Sequence, residues 1–174
     1  MDSQSENGSG AGNRTSIERR GDRELVVTRT FDAPRAMVYR AWSEPELFRR
    51  WWMPKSATGV TLVSCDMDVR TGGKYRLEFS TGGPQTMAFY GKYLDVVPNE
   101  RIVWTNDEGE ADAGEKGAIT TVTFEDHGSQ TLLRFHEVYP TAEALEEALQ
   151  GSAAALPEQF DQLGEVLSGS GGKQ

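Results

Sequence analysis

Apolar and polar residues alternate over Arg23–Phe31 (RELVVTRTF) as they do in a half-buried strand. The pattern then changes period. In FDAPRAMVYRAWSEPELFRRWW, Met37, Val38, Ala41 and Trp42 recur at helical spacing behind Pro34, whose missing N–H costs nothing at a first helical position. Ser43 ahead of Glu44, Pro45 and Glu46 reads as the N-cap of a second short helix that carries Leu47 and Phe48 toward Trp51. Alternation returns in GVTLVSCDMDV, KYRLEFS, TMAFYGKYLDVV, RIVWTN and AITTVTFEDHGSQTLLRFHEVY, broken by turns at RTGG, TGGPQ and HGSQ. Six strands are thus expected after the helices, about seven in all, arranged as an antiparallel meander.

The last element has a different period. From Thr141, a natural N-cap, Leu145, Leu149, Ala153, Leu156, Phe160, Leu163 and Leu167 recur at steps of three or four, which predicts one apolar stripe on one long helix. Gly151 and Pro157 interrupt it, and an interior proline removes a backbone hydrogen bond, so a bend or break is expected near Pro157. The fold class is therefore α+β: a curved antiparallel sheet around a long C-terminal helix, with two short helices after the first strand. Residues 1–21 and 168–174 are rich in Ser, Gly and charge, and are expected to be disordered tails on one domain spanning 22–167.

A sheet gripping one helix leaves concave apolar space, where ligands usually bind. On alternation, Tyr75, Leu77 and Phe79 share one face, as do Met87 and Phe89, Val122 and Phe124, and Leu133 and Phe135. The candidate ligand contacts are Tyr75, Leu77, Phe79, Met87, Phe89, Trp104 and Phe135 from the strands. Leu149, Leu156 and Phe160 join them from the helix, and Trp51 from the helical pair. Three of the four tryptophans, Trp42, Trp51 and Trp52, are expected to anchor that pair against the sheet edge and the cavity mouth, Trp51 being the one expected to reach a ligand.

Composition narrows the partners. With 18 basic against 27 acidic residues the formal net charge is −9, which repels phosphate backbones and anionic membranes, so no nucleic-acid partner is expected. Cys65 is the only cysteine, which excludes an internal disulfide and a cysteine-based zinc site and fits a cytoplasmic protein. No apolar run approaches the length of a membrane span, and the N-terminus has no apolar segment like that of a signal peptide.

Candidate chemistry is sparse. His127 lies in a turn and His136 in a strand, and neighbouring strand residues point to opposite faces, so neither builds a catalytic dyad. The acidic run NDEGEADAGE does not follow calcium-loop spacing, and RTGGKY lacks the first glycine and the Ser/Thr of a phosphate loop. Ser64, Ser80 and Cys65 have no partner base in the pattern. No catalytic residue, metal site or cofactor is assigned; Glu137, Arg101 and Asp66 are the polar residues expected to be able to enter the cavity, where a buried charge would need a partner.

The pieces VTRTFDAPRAMVYRAWSEPELFRRWW, DVRTGGKYR, GKYLDVVPNERIVWT, TVTFED, QTLLRF and FDQL, in that order over about Leu25 to Leu167, resemble the START-like (SRPBCC) superfamily. They are most similar to the branch named for the heat-shock protein 90 ATPase activator homologues. The resemblance implies the helix-grip fold and a cavity that binds a small hydrophobic or amphipathic molecule. Two alternatives come with it: a co-chaperone or stress-response protein that binds a protein partner, and a cavity-based enzyme of cyclase or hydrolase type. Two positions depart from the pattern. Met53-Pro54 stands where the family usually has Gly-Pro, and Ala155-Leu156 followed by Pro157 where it usually has Gly-Trp.

Overall fold

Leu25, Val27 and Phe31, which share one face of the first alternating run, are buried to within 2 % of completely, and the strand they form is the second of eight. The structure is a computed structural model that describes residues 14–106 and 117–169. Its elements run β1 (Ser16–Arg20), β2 (Glu24–Phe31), α1 (Arg35–Ser43), α2 (Pro45–Trp51), β3 (Thr61–Met67), β4 (Lys74–Ser80), β5 (Thr86–Val97), β6 (Arg101–Thr105), β7 (Ile119–His127), β8 (Gln130–Val138), α3 (Ala142–Gln150), a 3-10 turn (Ser152–Ala155) and α4 (Leu156–Leu167). The sheet is antiparallel throughout, in the order β1-β2-β8-β7-β6-β5-β4-β3.

β1 corrects the expectation of a tail over residues 1–21. Its five residues pair with β2, Ser16 opposite Thr28 and Arg20 opposite Glu24, although every one of them is exposed. SIERR has a single apolar residue and no alternation to detect; backbone pairing with a neighbouring edge, rather than burial, makes it a strand, and its charges suit an outermost position. Of the expected tails, residues 1–13 and 170–174 lie outside the described residues.

The helical pair forms with a shifted boundary. Pro34 is the N-cap of α1, Ser43 is its last residue, and Glu44 rather than Ser43 caps α2, with Pro45 at the first position. The Glu44 side chain makes no capping bond; it pairs with Arg40 at 2.8 Å instead.

The C-terminal segment is not one uninterrupted helix. Thr141 caps α3 as expected, its Oγ1 accepting from the Ala144 amide at 3.0 Å, but the helix stops at Gly151 and a 3-10 turn precedes α4. Pro157 is the second residue of α4, where its missing N–H is harmless. The break therefore precedes the proline, and the stripe survives it: Leu145, Ala153, Leu156, Phe160 and Leu163 are all buried against the sheet and the helical pair.

The sheet curls where β5 changes partners. Residues 86–92 pair with β4, and the pairing with β6 begins at Tyr93 with a register shift before Asp95. Gly91 stands at the change: a Cβ there would come within 2.1 Å of the Thr105 carbonyl oxygen, an approach only glycine permits. The inner face is the one alternation selected, with Leu77, Phe79, Val122, Phe124, Leu133 and Phe135 all buried.

Candidate ligand cavity

Trp42 is the hub of the aromatic residues under the sheet. Its ring lies 4.7 Å from Trp51, 5.9 Å from Trp104, and 6.2 Å from both Phe135 and Phe160, centroid to centroid. Trp51 is fully buried and spends its indole N–H on the Ala41 carbonyl at 3.0 Å, which locks α2 onto α1. Trp52 instead stacks on Phe48 at 4.8 Å and is half-buried. The helical pair thus has a closed side held by Trp51 and an open side presented by Trp52.

On that open side is a cavity of about 680 Å³ between the inner sheet face and the C-terminal helices. Tyr75, Leu77, Phe79, Met87, Phe89, Trp104 and Phe135 from the strands and Leu156 from the helical stripe line it, so eight of the candidate contacts surround one space. Phe79 and Phe89 meet edge to face at 5.5 Å across the β4–β5 ladder, and the exposed Met87 belongs to the mouth. Trp51, Leu149 and Phe160 are not in the lining. Trp51 and Phe160 are fully buried core residues, and Leu149 packs half-buried against the core on α3. Period told which residues face inward; it did not tell which inward residues meet other side chains and which meet space.

Sequence reasoning missed the polar end of the cavity, apart from Glu137. Continuing the inner-face alternation of β6, β7 and β8 past Trp104, Val122 and Phe135 reaches Asn106, Thr120, Glu137 and Tyr139. Thr120 Oγ1 donates to Glu137 Oε2 at 2.7 Å, and the Tyr139 hydroxyl donates to Glu137 Oε1. Asn106 Nδ2 donates to Thr120 Oγ1 and to the Ala118 carbonyl, both at 2.9 Å. Asn106, Glu137 and Tyr139 line the cavity, with Glu147 of α3. Thr120 is wholly buried behind them.

The opposite end is closed by two glutamines on the stripe of α4. Gln162 Nε2 donates to the carbonyls of Trp51 and Met53, both at 2.9 Å, and its Oε1 accepts from the Lys55 amide at 2.9 Å. Gln159 Nε2 donates to the Trp52 carbonyl at 2.5 Å. Ser56 donates through its amide and its hydroxyl to Glu158, which holds that carboxyl below its ordinary range. These bonds tie the loop after α2, which carries Met53-Pro54, to the last helix. A polar residue at a buried stripe position was the available signal.

The other candidates fall outside the cavity. Arg101 pairs with Asp95 at 2.8 Å, each about two-fifths exposed or more. Asp66 is exposed, 3.5 Å from the Ser64 hydroxyl. His136 Nε2 lies 3.0 Å from Glu24, and His127 Nε2 3.3 Å from Glu125. Burial pushes the Cys65 thiol up. Burial also pushes the Tyr93 hydroxyl, which lines the cavity, well above its ordinary value. Among the described residues no three His, Cys, Asp or Glu side chains converge as metal ligands, and no helix is long and apolar enough to cross a membrane. The acidic run from Asp107 to Glu115 lies outside the described residues.

Solved structures share this architecture. Protein Ms6760 of Mycobacterium smegmatis is 23% identical over 88% of this chain and 96% of its own, with a TM-score of 0.73. A protein from Rhodobacter sphaeroides is 20% identical over 90% and 99%, with a TM-score of 0.78. Protein CV1439 of Chromobacterium violaceum is 27% identical over 84% and 98%, with a TM-score of 0.64. No curated protein matches the chain. The sequence profile of the activator of Hsp90 ATPase homolog 1-like proteins matches residues 32–168, from the loop before α1 to the end of α4. That span contains the helical pair, strands β3 to β8, the C-terminal helices and every cavity-lining residue, and the chain belongs to this family, with the START-like helix-grip fold that its sequence resembles.

Proposed function

We propose that the protein binds a small hydrophobic or amphipathic molecule between the sheet and the C-terminal helices. The observation that carries the reading is the cavity itself. At about 680 Å³ it falls within the 300–1,000 Å³ typical of small-molecule sites, and its walls are mainly aromatic and aliphatic with a few polar groups at its ends. A neutral fluorescent apolar probe is expected to bind one to one and to raise the melting temperature, because a ligand that binds only the folded state stabilises it by mass action. Replacing the partly buried Phe89 with a polar residue of similar size should weaken uptake more than folding. Native mass spectrometry of freshly purified protein would reveal a retained molecule. Loose binding in several copies without a thermal shift would overturn the reading.

A second reading is an enzyme of cyclase or hydrolase type. One observation favours it: Glu137 and Tyr139, two titratable groups, meet at the polar end of the cavity. Turnover of a bound ligand, lost in Glu137→Gln while binding persists, would establish it. The family description also supports a protein-partner reading, a co-chaperone or stress-response role. A pull-down with the chaperone, unaffected by cavity substitutions, would separate that role from the first.

A further inference from the structure

We propose that the Tyr93 hydroxyl is a hydrogen-bond anchor of the cavity, donating to a carbonyl or ether oxygen on an otherwise apolar ligand. The inference rests on the small-molecule reading above and names the class of molecule.

Tyr93 enters the cavity wall from β5 with its backbone pinned by the turn between β3 and β4. Its amide donates to the Gly73 carbonyl and its carbonyl accepts from the Gly72 amide, both at 2.9 Å. Its ring packs on Tyr75 at 5.6 Å, and the residue is only 5 % exposed although it lines the cavity. The fold therefore sets where the hydroxyl stands.

That hydroxyl has no hydrogen-bond partner in the protein. Of the three tyrosines that line the cavity, Tyr75 donates to the Thr105 carbonyl at 2.7 Å and Tyr139 donates to Glu137. The Tyr93 proton is held in another way: by burial first, then by the charges of Cys65, Asp68 and Tyr39, with no hydrogen bond among the causes. Nor is the hydroxyl sealed in by packing. Among the described residues, the buried side-chain polar atoms with neither a partner nor any surface are Arg29 Nε and Trp42 Nε1. The Tyr93 oxygen thus keeps surface, and on a side chain so enclosed that surface opens on the cavity it lines.

A buried hydroxyl without a partner is costly, so it calls for one that the protein itself does not supply. Burial keeps the phenol protonated at neutral pH, and a ligand meets it as O–H rather than as phenolate. An acceptor oxygen on the ligand claims that proton; a pure hydrocarbon leaves it unpaired, a difference that a site with a fixed polar group converts into discrimination. Leu77, Ile102 and Trp104, the partner of Tyr93 on β6, line the same space and take the apolar body.

The test uses 2-acetylnaphthalene and 2-isopropenylnaphthalene, which share a shape and differ in carrying a doubly bonded oxygen or a methylene. Each competes at neutral pH against N-phenyl-1-naphthylamine bound to the full chain and to Tyr93→Phe, which keeps the ring and removes only the hydroxyl. In the variant the ketone-to-alkene affinity ratio is expected to fall at least about fivefold, while the alkene keeps its affinity within about twofold. Infrared spectra supply a readout that needs no variant: the carbonyl stretch of the ketone bound to the wild-type chain is expected below its position in hexane. Because the hydroxyl bonds nothing in the fold, Tyr93→Phe should melt at or above the wild-type temperature. An unchanged ratio, or a carbonyl band at its hexane position, would overturn the inference and leave the binder reading standing. A Tyr93→Phe chain that melts well below wild type or does not fold would also overturn it, since the hydroxyl would then be serving the fold. Failure of the probe, the ketone and the alkene to bind would instead overturn the binder reading.

Discussion

Thr120 and Glu137 stand directly opposite each other on β7 and β8, and the threonine hydroxyl donates to the carboxylate at 2.7 Å. Thr120 has no exposed surface, and it also accepts from Asn106, so one buried hydroxyl joins β7, β8 and the residue that follows β6 at the end of the cavity.

Thr120→Val keeps the shape and removes the donor. A hydrogen bond to a charged group contributes about 1.5–3 kcal/mol, and Asn106 would lose its acceptor as well. A loss in that range is expected in urea unfolding, with the alkaline and neutral spectra of the fold unchanged. No measurable loss would mean that water replaces the hydroxyl.

Trp51 and Trp52 are neighbours with opposite duties. Trp51→Ala empties a fully buried site and breaks the bond to Ala41, so a destabilisation of about 3–5 kcal/mol is expected. Trp52→Ala removes a half-buried cavity wall, so it should cost clearly less stability and weaken probe uptake more. Paired measurements of melting temperature and probe affinity check the contrast; the reverse order would undo the assignment of the two faces.

Phe160 meets Phe31, Trp42, Trp51 and Phe135 at ring distances of 6.0 to 6.4 Å and has no exposed surface. Phe160→Ala should therefore cost about 3–5 kcal/mol, the packed-core value. A cost near 1 kcal/mol in equilibrium unfolding would place it on the cavity wall instead.

Tyr93 bears on pH. Burial first, then the neighbouring Cys65, Asp68 and Tyr39, hold its proton more tightly in the fold than in the unfolded chain. Its contribution to stability is therefore fully present below the ordinary tyrosine value of about 10, and is lost as pH climbs from there toward the raised folded value. Unfolding at a series of pH values should show this alkaline decline, and Tyr93→Phe should flatten it. Tyrosinate absorbance appearing at an ordinary pH for all five tyrosines would contradict the shift.

The fold was legible wherever a side chain's role repeats along the chain. Alternation located β2 to β8 and selected the buried face, because a strand with one side in the core must place its apolar residues two apart. Glu137 could be named as a polar residue able to enter the cavity because it continues that same alternation from Leu133 and Phe135. Its partners could not be named. Thr120 is seventeen positions away, and only the β7–β8 register sets them face to face.

What the sequence determined by itself is the order of the elements, which residues of a strand share a face and the stripe of the last helices. These follow from local period and from the intrinsic limits of proline and glycine. Four things were decided only in the tertiary structure. Ser16–Arg20 became a strand because β2 offered an unpaired edge, not because of its own pattern. The break that Gly151 and Pro157 announce took its place at Gly151, ahead of the proline, which let α3 cover the polar end while α4 packed on the helical pair. Trp51 was enclosed and Trp52 left against open space. And Gln162 found the backbone of Trp51 and Met53, more than a hundred residues away. Each depends on which surfaces meet across long sequence separations, and the volume left between them is set by packing that no local period records.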